Sequence, residues 1–306
     1  MFGDPNILTY SVLQVGCEAV QLLTKNGEIG RILTVFENTF YVTSGEKLLC
    51  IGHSKLGASP LNASTTVEAG VDWSMCGIKE NQKVRFGNKS IKIGNLIFDA
   101  CDASTWSPDL DLLNFNLDDV NTGLDFLYKI CPTQIPFEGL GRIILYPRHP
   151  LIGHTILAFS ERSLTGLRTW LKGLFNKHSL SQNNELTWLP YLIGLGPGLT
   201  PSGDDFIGGM LIALNLINKS SAAQKIWESA KCQDSIIRNP ITRAHLKSAS
   251  KGMGSSALHE ALTVIINGRV DEIQSTIDKL ALIGHTSGWD SLAGAITVLQ
   301  IWLEQN

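Results

Sequence analysis

At 306 residues, with 43% hydrophobic and 17% charged content, the chain is long enough for two cores and has ordinary globular composition. A formal net charge of −3 gives no electrostatic reason to expect nucleic acid or an anionic membrane as a partner, and no run of about 18 apolar residues is present to span a bilayer. The opening Met1-Phe2-Gly3-Asp4-Pro5-Asn6 lacks the basic-then-apolar order of a secretory signal, so a cytoplasmic protein is expected; the six cysteines, widely spread and without a Cys-x-x-Cys pair, read as small reduced hydrophobes.

Residues 1–155 are expected to form a β-rich domain and residues 156–306 a helical domain. In the first, residues 30–36, 39–43, 47–51, 83–86, 90–93 and 96–98 alternate or run apolar between turn signals and predict the strands of an antiparallel barrel or sandwich. Residues 117–130, and residues 11–22 as a second candidate, carry helical spacing. A proline-punctuated junction follows, in which residues 142–146 read as one more strand and Arg148, His149 and His154 leave room for an anion site beside the plainer reading of a polar connection. From about residue 156 the period is helical, and residues 164–175, 188–195, 203–218, 222–232, 242–251, 256–267, 270–283 and 288–303 predict an all-helical bundle. The fold class is thus α+β.

The stretch Gly194-Leu195-Gly196-Pro197-Gly198-Leu199-Thr200-Pro201-Ser202-Gly203-Asp204-Asp205 leads into the most apolar helix of the chain. So many glycines ahead of a buried element suggest that something approaches the main chain closely. An echo, Ser287-Gly288-Trp289-Asp290-Ser291-Leu292-Ala293-Gly294, matches Ser202 to Gly209 as Ser-Gly-x-Asp-x-x-x-Gly and heads another apolar helix, so the bundle is expected to bring two similar helix starts around one pocket. The competing reading is a pair of capping boxes, with Ser202 and Ser287 as N-caps and Asp205 and Asp290 returning to them, worth about 1 kcal/mol each. Capping leaves Gly203, Gly288, the glycine approach and Asp204 unexplained.

Free first-turn amides and the helix dipole favour a phosphate or carboxylate, while Asp204, Asp205 and Asp290 favour amide donors or a divalent metal such as magnesium on Asp204 and Asp205. A ligand with both an anionic group and an NH2 group satisfies both halves. Asp204, Asp205, Asp290 and His285 are the catalytic candidates. Gly196, Gly198, Thr200, Ser202, Gly203, Arg243, Ser287 and Gly288 are the binding candidates, Arg243 as a guanidinium fork beside Thr242 and His245 at a helix start. The stretch is neither a Walker loop nor a Rossmann fingerprint.

At Gly194 to Asp205 and Gly284 to Asp290 the chain resembles a bacterial family that includes the AllH-type subunit of oxamate carbamoyltransferase. The resemblance implies action with FdrA-like partner subunits in anaerobic allantoin breakdown, with carbamoyl transfer between oxalurate and phosphate giving oxamate and carbamoyl phosphate. It carries no residue-level catalytic assignment. The alternative is a non-catalytic small-molecule-binding or assembly subunit of a metabolic complex.

Overall fold

The computed structural model describes residues 7–24, 27–110, 116–146, 148, 155–176 and 185–306. The chain divides into two compact units, Met1–Asp109 and Leu110–Asn306.

In the first unit, β1 (Leu8–Gly16), β2 (Ile29–Val35), β3 (Thr39–Ser44), β4 (Lys47–Gly52), β5 (Asn62–Thr65), β6 (Lys83–Gly87), β7 (Ser90–Ile93) and β8 (Leu96–Asp99) lie in the order β5-β4-β3-β2-β6-β7-β8-β1. β1 pairs back onto β5 and closes the ring, which leaves no barrel edge unpaired. The short β9 (Ser104–Trp106) adds to β1. All six strands anticipated from patterning are present. The ring is not purely antiparallel, because β1–β8 and β4–β5 pair in parallel. Residues 11–22 are a second correction: β1 continues to Gly16 and only α1 (Val20–Leu23) is helical. Val12 and Val15 face the core there, and at Gly16 a Cβ would stand 2.1 Å from the Ser59 carbonyl oxygen, so distant strand pairing overrides local helical spacing. Between β6 and β7, Asn88 and Lys89 both take positive φ, 51° and 52°, the left-handed pair that a two-residue hairpin turn requires. The core is aromatic: the Trp73 indole packs 5.0 Å from the Phe40 ring and 6.1 Å from Phe98, centroid to centroid.

The second unit holds α2 (Leu117–Ile130), α3 (Thr155–Phe175), α4 (Leu189–Leu192), α5 (Ser202–Leu216), α6 (Ser220–Ala230), α7 (Asp234–Arg238), α8 (Pro240–Ala249), α9 (Ser256–Ile266), α10 (Val270–Ala281) and α11 (Ser287–Leu303). α2, grouped by sequence order with the strands, packs on α9 and α10. The strand expected at residues 142–146 is a 3-10 turn, Gly141–Leu145. Ile143, Ile144 and Leu145 are all buried there and the segment lies on α11, so the apolar run reflects burial all round and not a sheet face.

α5 and α11 are nearly all-round apolar and form the most extensive helix pair of the unit. Glycines allow it. A Cβ at Gly209 would lie 1.7 Å from the Ser291 carbonyl oxygen, and one at Gly294 would lie 1.8 Å from that of Phe206. Gly209 and Gly294 are counterparts in the two motifs, as are Phe206 and Ser291, so the contact is reciprocal and the two starts run side by side.

Candidate functional site

The pairing of α5 with α11 brings together the residues that the two motifs singled out. Thr200 Oγ1 and Ser287 Oγ are 3.3 Å apart. The hydroxyl of Ser287 serves Asp205, and that of Ser202 serves Asp290, so each motif's serine attends the other motif's aspartate. Neither serine caps its own helix. Each is the first helical residue, after Pro201 in α5 and Thr286 in α11, and neither start has a side-chain cap. The capping-box reading is therefore replaced by a cross-helix serine–aspartate exchange.

Asp290 and Asp204 are each also held by a Gly-Leu-Gly turn. Leu140 N–H donates to Asp290 Oδ1 at 2.6 Å, and Gly194 N–H donates to Asp204 Oδ1 at 2.8 Å. Gly139 and Gly194 have φ of 74° and 72°, and a Cβ at Gly139 would lie 2.6 Å from Asp290 Oδ1, so only glycine lets this carboxylate dock. Thr242 at the start of α8 donates Oγ1 to the Leu199 carbonyl at 3.1 Å and also reaches Asp204. The Gly139-Leu140-Gly141 turn was absent from the sequence candidates, although its likeness to Gly194-Leu195-Gly196 was a usable signal.

The amides narrow the anion site. Gly203 N–H donates to Leu195 O, those of Asp204 and Asp205 to Pro201 O, Gly288 N–H to Ile283 O, and Asp290 N–H to Thr286 O. The N–H groups of Ser202 and Ser287 have no acceptor among the described residues. Gly203 and Gly288 do not open the helix starts to a ligand: a Cβ would meet Leu192 O at 1.8 Å and Leu280 O at 2.1 Å, so they serve packing. Gly196 and Gly198 differ. Both hold positive φ, 116° and 93°; a Cβ on Gly196 would crowd Ser202 N at 3.0 Å, and Gly198 faces open space.

Burial dominates the electrostatics. It pushes Asp204 up to about 6 against the Gly194 and Thr242 hydrogen bonds, and Asp290 up to about 6 against those of Leu140, Thr286 and Ser202. Asp205 stands well above the usual carboxylate range, raised by burial and by the charges of Asp290 and Asp204, and lowered by the hydroxyls of Ser287 and Thr200. Its Oδ2 and that of Asp290 are buried and take no hydrogen bond of good geometry among the described residues. A carboxylate raised from 3.8 to about 6 on folding weakens the native state as pH rises through that window, by roughly 3 kcal/mol once ionised. Denaturation of wild type and Asp204→Asn across pH checks this: equal stability near pH 4, with the variant pulling ahead above pH 6.

The remaining candidates lie apart or on the rim. His285 is exposed, its Nε2 3.8 Å from Glu138 Oε2. Arg243 donates Nη1 to the Lys231 carbonyl at 3.5 Å. Among the described residues no group of three or more His, Cys, Asp or Glu is placed to hold a metal, and Asp204 is turned to Gly194 and Thr242. In the junction, Arg148 pairs with Asp125 at 2.8 Å and lies over the Tyr128 ring, while His149 and His154 fall outside the described residues. Among the described residues none of the six cysteines is in a disulfide.

No helix is long and apolar enough to cross a membrane among the described residues. No solved structure gives a significant match. The family model described as the AllH family N-terminal domain matches residues 11–105, within the barrel unit. The model described as oxamate carbamoyltransferase subunit AllH matches residues 192–299, which hold the glycine-rich loop and both helix starts. Together these matches cover most of the chain, which belongs to the AllH family of oxamate carbamoyltransferase subunits.

Proposed function

We propose that the chain works as the ligand-holding subunit of an oxamate carbamoyltransferase, with FdrA-like partner subunits, in allantoin breakdown, and that the paired starts of α5 and α11 hold a small ligand with carboxylate and amide ends. The observation that carries this reading is the pair of buried, unpartnered oxygens, Oδ2 of Asp205 and of Asp290, at the N-terminal end of two adjacent helices. Oxalurate matches them. Its carboxylate suits the N–H groups of Ser202 and Ser287, and its amide hydrogens suit ionised Asp290.

In the transfer, a phosphate oxygen attacks the ureido carbon of oxalurate, the carbon–nitrogen bond to the oxamate half breaks, and the departing nitrogen takes a proton. Asp205, whose carboxyl is pushed well above the usual carboxylate range by burial and by its acidic neighbours, is the group suited to give that proton. Orientation across two rigid helices and hydrogen bonds to the developing charge supply the rest.

The second reading, a binding or assembly subunit without catalytic groups, is favoured by the backbone satisfaction of most first-turn amides and by the packing roles of Gly203 and Gly288. Turnover of oxalurate and phosphate by the complex reconstituted with FdrA-like subunits separates them. Asp205→Asn is expected to lower kcat by about a hundredfold or more while the complex still assembles. Wild-type kcat in that variant transfers the chemistry to the partners.

A further inference from the structure

The outer face of the barrel carries four cations in strand register. Arg31 on β2 stands opposite Lys83 on β6, and Arg85 on β6 stands opposite Lys92 on β7. Ile29, 55% exposed, lies opposite Arg85 on β2. Lys83, Arg85 and Lys92 line a groove of about 400 Å3 with Ile29, Asn88 and Ser90. Like charges directly opposite one another destabilise a strand pair, and none of the four cations has an ion-pair partner among the described residues. Among the described residues the Arg31 guanidinium donates to the Asn81 carbonyl. In a chain of net charge −3 this is a basic face with an apolar centre, the composition of a docking surface whose counter-charges lie on another molecule.

We propose that the β2–β6–β7 face docks an acidic face of a partner subunit, an inference that rests on the reading of the chain as part of a multi-subunit carbamoyltransferase. The mixture of Ile29 with the cations favours a protein face over a nucleic acid or a lipid headgroup layer.

The test uses the full chain with Lys83→Glu and Lys92→Glu together, co-purified with the FdrA-like subunits and measured by light scattering and by titration at two salt concentrations. Each substitution sets an acid opposite an arginine, so the free chain is expected to keep or gain thermal stability, which separates lost docking from misfolding. The wild-type chain should assemble with an affinity that falls with salt, and the double variant should lose at least tenfold. Assembly at wild-type strength by the variant, or assembly of the wild type without salt dependence, overturns the docking face while leaving the subunit reading intact. A wild-type chain that does not assemble with these partners overturns the subunit reading itself, and the docking face falls with it. Should the substitutions abolish binding to duplex DNA or to phosphatidylserine vesicles while assembly persists, the face belongs to a different partner and the proposal is wrong.

Discussion

Asp290→Asn is expected to make the protein more stable and the complex inactive. Asp290 is fully buried, and its folded-state pKa of about 6 means that its charge at neutral pH opposes folding by roughly 3 kcal/mol relative to a neutral side chain. Asparagine keeps the shape, and its Oδ1 can still accept from Leu140 N–H. The gain in denaturation free energy should be absent near pH 4 and complete above pH 6, and comparing the variant with wild type at each pH removes the opposing effect of buried His259, whose pKa falls to about 4. Turnover by the reconstituted complex should fall at least a hundredfold, because the ionised acceptor for the ligand amide is gone. A structural aspartate gives the reverse pattern, with lost stability and retained rate. Stored instability recovered by neutralising one group is what a functional carboxylate leaves behind.

The second large effect lies at the helix contact. Gly209→Ala and Gly294→Ala each drive a methyl group into the facing main chain, 1.7 Å from Ser291 O and 1.8 Å from Phe206 O, and neither backbone can yield without separating α5 from α11. A loss of about 3 kcal/mol or more is expected in urea denaturation, together with loss of ligand binding, since the same contact aligns Ser202 with Asp290 and Ser287 with Asp205. Gly208→Ala is the control. Its Cβ would come no closer than 3.9 Å to Leu246 Cδ2, so helix propensity decides and a gain of about 1 kcal/mol follows. Equal behaviour of Gly208→Ala and Gly209→Ala would remove the close-approach account.

Much of this arrangement was legible beforehand, and the parts that were not share a cause. The strands at residues 30–43 and 83–98 alternate and that at 47–51 runs apolar, so they were readable, whereas the buried positions of β5 are Ala63 and Thr65, which make no apolar alternation, and the three residues of β9 are too few to show a period. The helical spacing in β1 misleads because Val12 and Val15 pair with residues far along the chain, Thr65 and Ala63 in β5 and Thr105 in β9. The repeated Ser-Gly-x-Asp pattern did announce a pair of helix starts, and their proximity is now plain from the Thr200–Ser287 contact. The chemistry of that pattern was read one step too locally. Ser202 and Ser287 look like caps in sequence because a cap partner is always near in the chain, but their acids lie across the helix pair. For the same reason Gly203 and Gly288 suggested ligand access while answering to the carbonyls of Leu192 and Leu280.

The central claim is that the ligand meets the carboxylates of Asp205 and Asp290. Calorimetric titration of oxamate into the reconstituted complex, in two buffers of different ionisation heat, tests it most directly. The wild type is predicted to bind with proton uptake or release, seen as a buffer-dependent heat, and Asp205→Asn is predicted to bind at least tenfold more weakly with that dependence altered. Identical affinity and an unchanged proton count in the variant would contradict the account.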